Sequence, residues 1–163
     1  MDRPLFLKMA PDLTDEQIDA VVARCCADQV SGIIATNTTI ARPSTLRHRF
    51  ATEAGGLSGA PLFEKSTAVL ARVAKQAKNR LAVIGVGGVS SGWQAYAKIL
   101  VGADLVQLYS GLALHGPTLP AQIARDLHIL MQRDGVDTVA AAKGAIPDPK
   151  KAIKHALLLA QSA

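Results

Sequence analysis

The chain has 163 residues, of which 49% are hydrophobic and 19% charged, as expected of a soluble globular domain with one core of ordinary size. The net charge is +5, but aromatic residues make up only 4% of the chain, so the composition does not indicate a nucleic-acid-binding surface. No uninterrupted apolar stretch approaches the roughly 18 residues of a membrane span, so this sequence predicts no transmembrane helix.

The cysteines and histidines argue against two further kinds of site. Cys25 and Cys26 are adjacent in a helical pattern, so they are not expected to form a disulfide with each other, and they match no zinc spacing. They favour a reducing compartment, and we expect the chain by itself to be soluble and cytoplasmic. The four histidines show no ligand-like spacing, so no metal site is predicted.

The first predicted strand covers residues 5–9, and a helix follows it. Residues 14–17 form a capping-box pattern, after which apolar residues recur on one helical face. Lys8 stands at the end of the strand among apolar neighbours, where a lysine is costly unless it meets an anion or a cofactor. The alternative is a lysine whose stem lies on apolar surface while its amine reaches water.

The second predicted strand covers residues 32–36 and ends in a run of small polar side chains, Asn37, Thr38 and Thr39. Such groups at the carboxyl end of a strand can fix a ligand by hydrogen bonds, or they can cap the next segment. Residues 40–60 lack periodicity, and loops of this length in compact domains usually serve as lids or binding loops.

The third and fourth strands are predicted near residues 82 and 104, and each runs into a turn of small residues. In the first of these turns, Gly87 and Gly88 carry no side chain, so their amides and the following helix N-terminus can surround a phosphate. A dinucleotide-binding fingerprint is absent, because Ser90 stands where its third glycine would fall. Ordinary connecting turns without a ligand are the alternative.

Beyond the fourth strand, residues 119–133 have helical periodicity, and Gly135 marks the end of that helix. Residues 136–143 predict a short helical piece. Residues 146–163 form a basic, proline-punctuated tail that we expect to be helical.

The predicted elements form four strand–helix units, and this alternation indicates an α/β fold with a parallel sheet. The glycine-rich and polar motifs all fall at the carboxyl ends of strands, where such folds bind ligands. In parallel α/β barrels, the phosphate site is formed by two consecutive turns of small residues after the last two strands. A complete eight-stranded barrel takes about 250 residues, however, so the chain is short for one.

Five motifs follow the predicted strands in order, at residues 8–13 (KMAPDL), 34–39 (IATNTT), 55–59 (GGLSG), 85–88 (GVGG) and 107–111 (QLYSG). Together these motifs resemble the second half of the quinone-linked (class 2) dihydroorotate dehydrogenases. The resemblance runs from Leu5 to about Gly144. It predicts that residues 1–145 are the carboxyl-terminal half of an FMN-binding (β/α)8 TIM barrel, with residues 146–163 as a tail that does not match the family.

The resemblance implies an FMN-dependent oxidoreductase that converts dihydroorotate to orotate in pyrimidine (UMP) biosynthesis and passes electrons to a quinone. It assigns Asn37 and Thr38 to the substrate ring. The residues that it assigns to the cofactor are Lys8 beside the flavin ring, Thr36 and Gly59 along the cofactor, and Gly88, Tyr109 and Ser110, with Gly87, around the FMN phosphate.

The chain also departs from the family. The family's general base, a serine after the fourth barrel strand, has no counterpart here, because the chain begins at what would be the fifth strand. We therefore expect no turnover by this chain alone. The resemblance places the intact enzyme peripherally at the cytoplasmic side of the inner membrane, with membrane and quinone contacts through an amino-terminal region.

Two other functions stay open at this stage. The first is a non-catalytic half-barrel module that binds a phosphate compound or flavin and forms a homo-oligomer through open sheet edges. The second is another FMN or phosphate-binding barrel enzyme with a different substrate, which the occurrence of residues 37–39 in register with Lys8 disfavours.

Overall fold

The computed structural model of the chain describes residues 3–162, which form a four-stranded sheet with helices between the strands. Within these residues no helix is long and apolar enough to cross a bilayer. The strands are β1 (Phe6–Met9), β2 (Gly32–Ala35), β3 (Ala82–Val86) and β4 (Leu105–Gln107). The helices are α1 (Asp15–Ala27), α2 (Phe63–Ala77, preceded by a 3-10 turn at Ala60–Leu62), α3 (Gly92–Leu100), α4 (Ser110–His115), α5 (Leu119–Arg133), α6 (Val139–Ala142) and α7 (Pro149–Gln161).

All three strand pairings are parallel, and the strand order is β1-β2-β3-β4. Neighbouring strands in space are therefore also consecutive in sequence, each pair being joined through a helix. This arrangement confirms the predicted α/β fold with four strand–helix units. Because the strands are parallel, their carboxyl ends lie along one edge of the sheet.

The two faces of the sheet differ in burial. Ile33 and Val83, which are paired in the register, belong to the core between the sheet and the helices and are at most 2% exposed. The opposite face carries a row of residues paired across the sheet, and its edge members are exposed. This row, called here the open face, consists of Lys8, Ile34, Ile84 and Leu105.

Local sequence signals account for where the helices begin and end. Thr14 accepts a hydrogen bond from the amide of Gln17, whose side chain in turn accepts one from the Thr14 amide, so the predicted capping box forms. Helix α5 covers the predicted residues 119–133, and Gly135 follows it with φ of 69°. A glycine in this left-handed conformation is a common end to a helix.

Helix α4 is separated from the end of β4 by two residues, and it forms where the sequence predicts only a turn. Ser110 starts this helix and Gly111 lies against the loop that follows β3. A Cβ on Gly111 would lie 2.4 Å from the carbonyl oxygen of Val89, so the close approach of the two segments requires glycine. The two strand ends are therefore packed together.

The tail contributes to the same core as the barrel elements. Ala152 and Ala156 of α7 are fully buried, Ile153 and Leu159 pack partly buried against the core, and Leu158 is 55% exposed. The side chain of His155 lies 2.8 Å from Asp134 at the end of α5, and Tyr96 of α3 donates to the same carboxylate. The tail helix is thus attached to α3 and α5 by packing and by polar contacts.

Candidate functional site

A cavity of about 180 Å³ opens at the edge of the sheet where the strands end. Its lining comes from the ends of all four strands and from the turn before α2. The lining includes every residue that the family resemblance assigns to cofactor or substrate, namely Lys8, Thr36, Asn37, Thr38, Gly59, Gly88, Tyr109 and Ser110. Positions as far apart in sequence as 8 and 110 therefore converge on one site.

The glycine loop after β3 forms one wall of this cavity. Gly87 and Gly88 have φ values of 110° and 73°, a region that side chains with a Cβ rarely occupy. A Cβ on Gly88 would lie 2.6 Å from the Cα of Phe63, at the start of α2. The hydroxyl of Ser66 donates to the carbonyl oxygen of Gly87 at 3.0 Å, which holds the loop against α2. Only glycine fits this loop as it is folded.

The segment after β4 forms a second wall. Tyr109 is 83% exposed, and Ser110 donates a hydrogen bond to the hydroxyl of Ser58 at 2.9 Å. Ser58 belongs to the glycine-rich motif before α2, and Gly59 beside it has φ of 77°. Two loops that are distant in sequence are thus joined at the cavity by a pair of hydroxyl groups.

The polar run after β2 forms the third wall. Thr36 is 2% exposed, and its amide donates to the carbonyl of Val86 at 3.1 Å. It is therefore buried at the end of β2 and hydrogen-bonded to β3. The amide of Asn37 donates to the carbonyl of Met9 at 2.7 Å. The side chains of Asn37 and Thr38 are exposed at the cavity mouth, where they can meet a ligand.

Lys8 lies on the open face of β1 and is exposed. Its neighbours Phe6 and Leu7 are apolar, as the sequence shows, but they are themselves 38% and 41% exposed, so β1 does not enclose Lys8 as a buried strand would. The amine is therefore available to a ligand in the cavity. Because Lys8 is exposed, the free-energy cost of burying a lysine does not apply to it.

A network that the sequence argument missed connects the loops after β1 and β2. Asp12 accepts hydrogen bonds from Thr39 at 2.5 Å, from the amide of Ile40 at 2.9 Å, and from Lys65 of α2. Burial tends to raise the pKa of the Asp12 carboxyl, but these hydrogen bonds outweigh it and hold the pKa below its usual value. The ionised carboxylate therefore fixes the start of the loop after β2.

Arg42 organises the long loop after β2. Its guanidinium donates to five backbone carbonyls, from Thr39, Ile40 and Ala41 on one side and Glu53 and Gly55 on the other. A single antiparallel bridge between residues 39 and 57 closes the same loop. An arginine three residues after the polar run is the only sequence signal for this clamp.

Lys98 of α3 is a second lysine that the sequence argument did not single out. It is fully buried, and burial lowers the pKa of its amine to about 7. The signal was present, since Lys98 interrupts an otherwise apolar run on its helix. The pattern could not tell whether that face of α3 is covered, because α7 and α2 come from distant parts of the chain.

The donor groups of the cavity suit a phosphate. Two glycines, a serine hydroxyl and nearby backbone segments line the wall between the ends of β3 and β4. Backbone amides and hydroxyl groups are donors that can bind a phosphate. The cavity volume is below the roughly 300–1,000 Å³ of typical ligand pockets.

The family model described as "Dihydroorotate dehydrogenase" matches residues 1–131. The chain belongs to the dihydroorotate dehydrogenase family. A relative named "Dihydroorotate dehydrogenase (quinone)" from Brucella melitensis biotype 2 is 50% identical over 140 residues, which are 86% of this chain and 38% of the relative. The protein of the same name from Brucella ovis is 49% identical with the same coverage.

Solved structures give the same family. The DHODH of Eimeria tenella in complex with ferulenol superposes with a TM-score of 0.84 at 37% identity, covering 87% of this chain and 38% of that one. Its ligand-free form gives a TM-score of 0.85, with 88% and 40% covered. The four strand–helix units thus correspond to part of a dihydroorotate dehydrogenase TIM barrel, and the chain spans about 38% of the length of its curated relatives.

Proposed function

We propose that this chain supplies the phosphate side of the FMN site and part of the substrate site of a quinone-linked dihydroorotate dehydrogenase. The observation that carries the proposal is the convergence of the residues assigned by the resemblance on one cavity at the carboxyl edge of the sheet. Membership of the dihydroorotate dehydrogenase family supports the reaction class. In the intact enzyme the reaction oxidises dihydroorotate to orotate for pyrimidine synthesis.

The geometry of the cavity supports the proposed cofactor-binding roles. The amides of Gly87 and Gly88, with Tyr109 and Ser110 on the facing loop, hold the phosphate. The Lys8 amine would lie beside the flavin ring, where a cation would stabilise negative charge. When bound, FMN supplies the hydride acceptor for dihydroorotate oxidation.

The substrate-binding roles belong to the loop after β2. Asn37 presents an amide and Thr38 a hydroxyl, and together these groups can donate to and accept from the substituents of a pyrimidine ring. Their positions depend on the contacts of Asp12 and Arg42 with the same loop. Both residues are exposed in this chain, so substrate binding removes them from water.

Proton transfer is a part of the reaction that we assign to none of residues 3–162. The resemblance places the base serine on a loop after the fourth barrel strand, and that loop has no counterpart among these residues. We expect no dihydroorotate oxidation by the purified 163-residue chain, and a steady-state rate would contradict this. The quinone and membrane contacts of the intact enzyme are assigned to none of the described residues.

Binding of flavins to the purified chain tests the proposed cofactor site. FMN and riboflavin differ only in the phosphate, so a phosphate site predicts that FMN binds at least about tenfold more tightly, as measured by flavin fluorescence. Equal affinities for the two flavins would contradict the assignment of the glycine loop. No binding of either flavin would show that the chain alone does not form the site.

Orotate binding tests the substrate-side assignment. Asn37→Ala and Thr38→Val should each weaken orotate binding to the FMN-loaded chain by about tenfold, because each removes hydrogen-bonding groups from the site. Ser44→Ala, in the exposed loop, is the control. Unchanged orotate affinity in both variants would favour a different substrate for the same cofactor site.

The open face of the sheet favours a second candidate function, a non-catalytic half-barrel that self-associates. Among the described residues β1 and β4 each pair with one strand only, and Leu105 and Phe6 are 62% and 38% exposed. Unpaired strand edges and exposed apolar residues promote association. Two copies of this four-stranded sheet would supply the strands of an eight-stranded barrel.

Sedimentation of the purified chain tests this second function. A dimer is expected if the open faces close on each other, and Leu105→Glu should convert it to a monomer because a charge would be buried. Leu158→Glu, which changes an exposed leucine on α7, is the matched control. A monomer for the unmodified chain would eliminate the self-associating half-barrel.

A further inference from the structure

We propose that Lys98 is a positioning residue for the phosphate loop, acting through Ser66 on Gly87 and placing a buried positive charge behind the loop. The proposal rests on the proposed function, because it concerns the loop to which the FMN phosphate is assigned. It adds a residue that does not itself line the cavity.

The side chain of Lys98 is enclosed on every side. Its amine donates to the hydroxyls of Ser66 at 2.9 Å and Thr67 at 3.2 Å, and lies 5.3 Å from the centre of the Phe63 ring. A Cβ added to Gly85 would lie 3.0 Å from the lysine Cδ, so the stem packs directly on β3. The lysine of α3 therefore touches both α2 and the strand that carries the glycine loop.

Hydrogen-bond direction connects this lysine to the loop. A lysine amine donates, so the Ser66 oxygen accepts from Lys98 and must direct its single hydrogen elsewhere. Its available acceptors are the carbonyls of Gly87 and Phe63, each at 3.0 Å. Thr67 makes a similar contact with Lys98, but its hydroxyl donates to Phe63 alone. Ser66 is thus the link between the lysine and the glycine loop.

No negative partner neutralises Lys98 among residues 3–162. The groups of α2 around its amine are the hydroxyls of Ser66 and Thr67 and the Phe63 ring. On β3, the residue that contacts the lysine stem is Gly85. Titratable groups elsewhere in this packing have other partners: His155 of α7 and Tyr96 of α3 itself both contact Asp134 of α5. Burial is the only cause that lowers the lysine pKa to about 7.

An unpaired buried lysine is costly, and an anion bound in front of the loop would offset part of that cost. The charge and the two glycine amides would then act on the phosphate from the same side. Removing the charge should weaken the binding of a ligand that carries a phosphate and leave the binding of a ligand without one unchanged.

The first test uses the full chain without a ligand. The amide resonances of Gly87 and Gly88 should shift with a midpoint near pH 7 as Lys98 loses its proton. The shift should disappear in Lys98→Met and in Ser66→Ala, and persist in Thr67→Val and Lys151→Met. The proposal would be overturned if the unmodified chain shows no shift, or if the shift persists in Lys98→Met. If Lys98→Met does not fold, persistence of the shift in Ser66→Ala would overturn the proposal instead.

The second test compares flavins. Lys98→Met should bind FMN about tenfold more weakly while its riboflavin affinity stays within about twofold. An equal loss for both flavins would mean a general structural role and would overturn the proposal. If the unmodified chain itself does not prefer FMN over riboflavin, the proposed phosphate site fails, and the amide titration still decides whether Lys98 positions the loop.

Discussion

The two loops that border the site are held in place by different physical means. The loop after β3 is short and lies against the backbone of α2, where a Cβ on Gly88 would come within 2.6 Å of the Cα of Phe63. The loop after β2 runs from residue 37 to residue 59 and is held by polar contacts of Arg42 and Asp12. At Gly55 in this second loop, an added Cβ would meet nothing within 4 Å.

This difference separates a preorganised wall from an adjustable one. Close packing leaves the glycine loop a single arrangement. Exposed hydrogen bonds open with little cost, so the long loop can move more readily. The glycine loop, to which the phosphate is proposed to bind, should therefore tolerate substitution poorly, and the loop after β2 more readily.

The largest effect is expected from Gly88→Ala. The new Cβ would clash with the α2 backbone at a left-handed φ of 73°, so we expect a loss of about 3 kcal/mol in the free energy of unfolding, with loss of FMN binding. Gly135→Ala is the matched control, because φ there is 69° but no atom lies within 4 Å of the new Cβ. Chemical denaturation of both variants measures the difference, and equal losses would mean that backbone strain alone matters.

A second effect concerns the pH dependence of stability at Lys98. Its folded pKa of about 7 lies below the unfolded value near 10.4, so the folded chain binds fewer protons between these values and its stability rises with pH there. Lys98→Met removes this dependence and should be more stable than the unmodified chain by about 1–4 kcal/mol at pH near 6, with a smaller advantage at pH near 9. Denaturation at the two pH values measures it; a destabilised Lys98→Met would show that the lysine contacts outweigh the cost of burial.

Arg42→Ala should produce a smaller and more local change. Loss of the contacts to both arms of the loop should raise amide hydrogen exchange in residues 43–56 by about tenfold, while exchange of Gly87 and Gly88 stays unchanged. Arg47→Ala, in the same loop, is the control. Faster exchange in both loops would contradict their separate modes of support.

The smallest effect is expected from Asp12→Asn. The neutral amide keeps the shape of the carboxylate but loses its charge on Lys65 and weakens the bond to Thr39, so stability should fall by about 1 kcal/mol. Because the Asp12 pKa is lowered in the folded chain, its contribution is present above the unfolded pKa and is lost as pH falls through the folded value. Acid denaturation curves of the variant and the unmodified chain should therefore converge at low pH.

Sequence patterns were sufficient for the four strands and for most of the helices, although they predicted only a turn where α4 forms. Alternating strand and helix signals placed β1 to β4, and the capping pattern at Thr14 placed the start of α1. Glycines at Gly87 and Gly88 marked the loop with positive φ. These features depend on neighbours within a few residues, which is the range over which sequence patterns carry information.

The sequence by itself thus determined the order of strands and helices, the motifs at the carboxyl ends of the strands and the family. The tertiary structure alone decided which lysine is buried, since Lys8 is exposed and Lys98 is enclosed. It also decided that Asp12 meets Thr39 and that Ser66 meets Gly87. The reason is physical: burial and hydrogen bonding of a side chain depend on elements that are distant in sequence, and only the packing of the helices on the sheet brings those elements together.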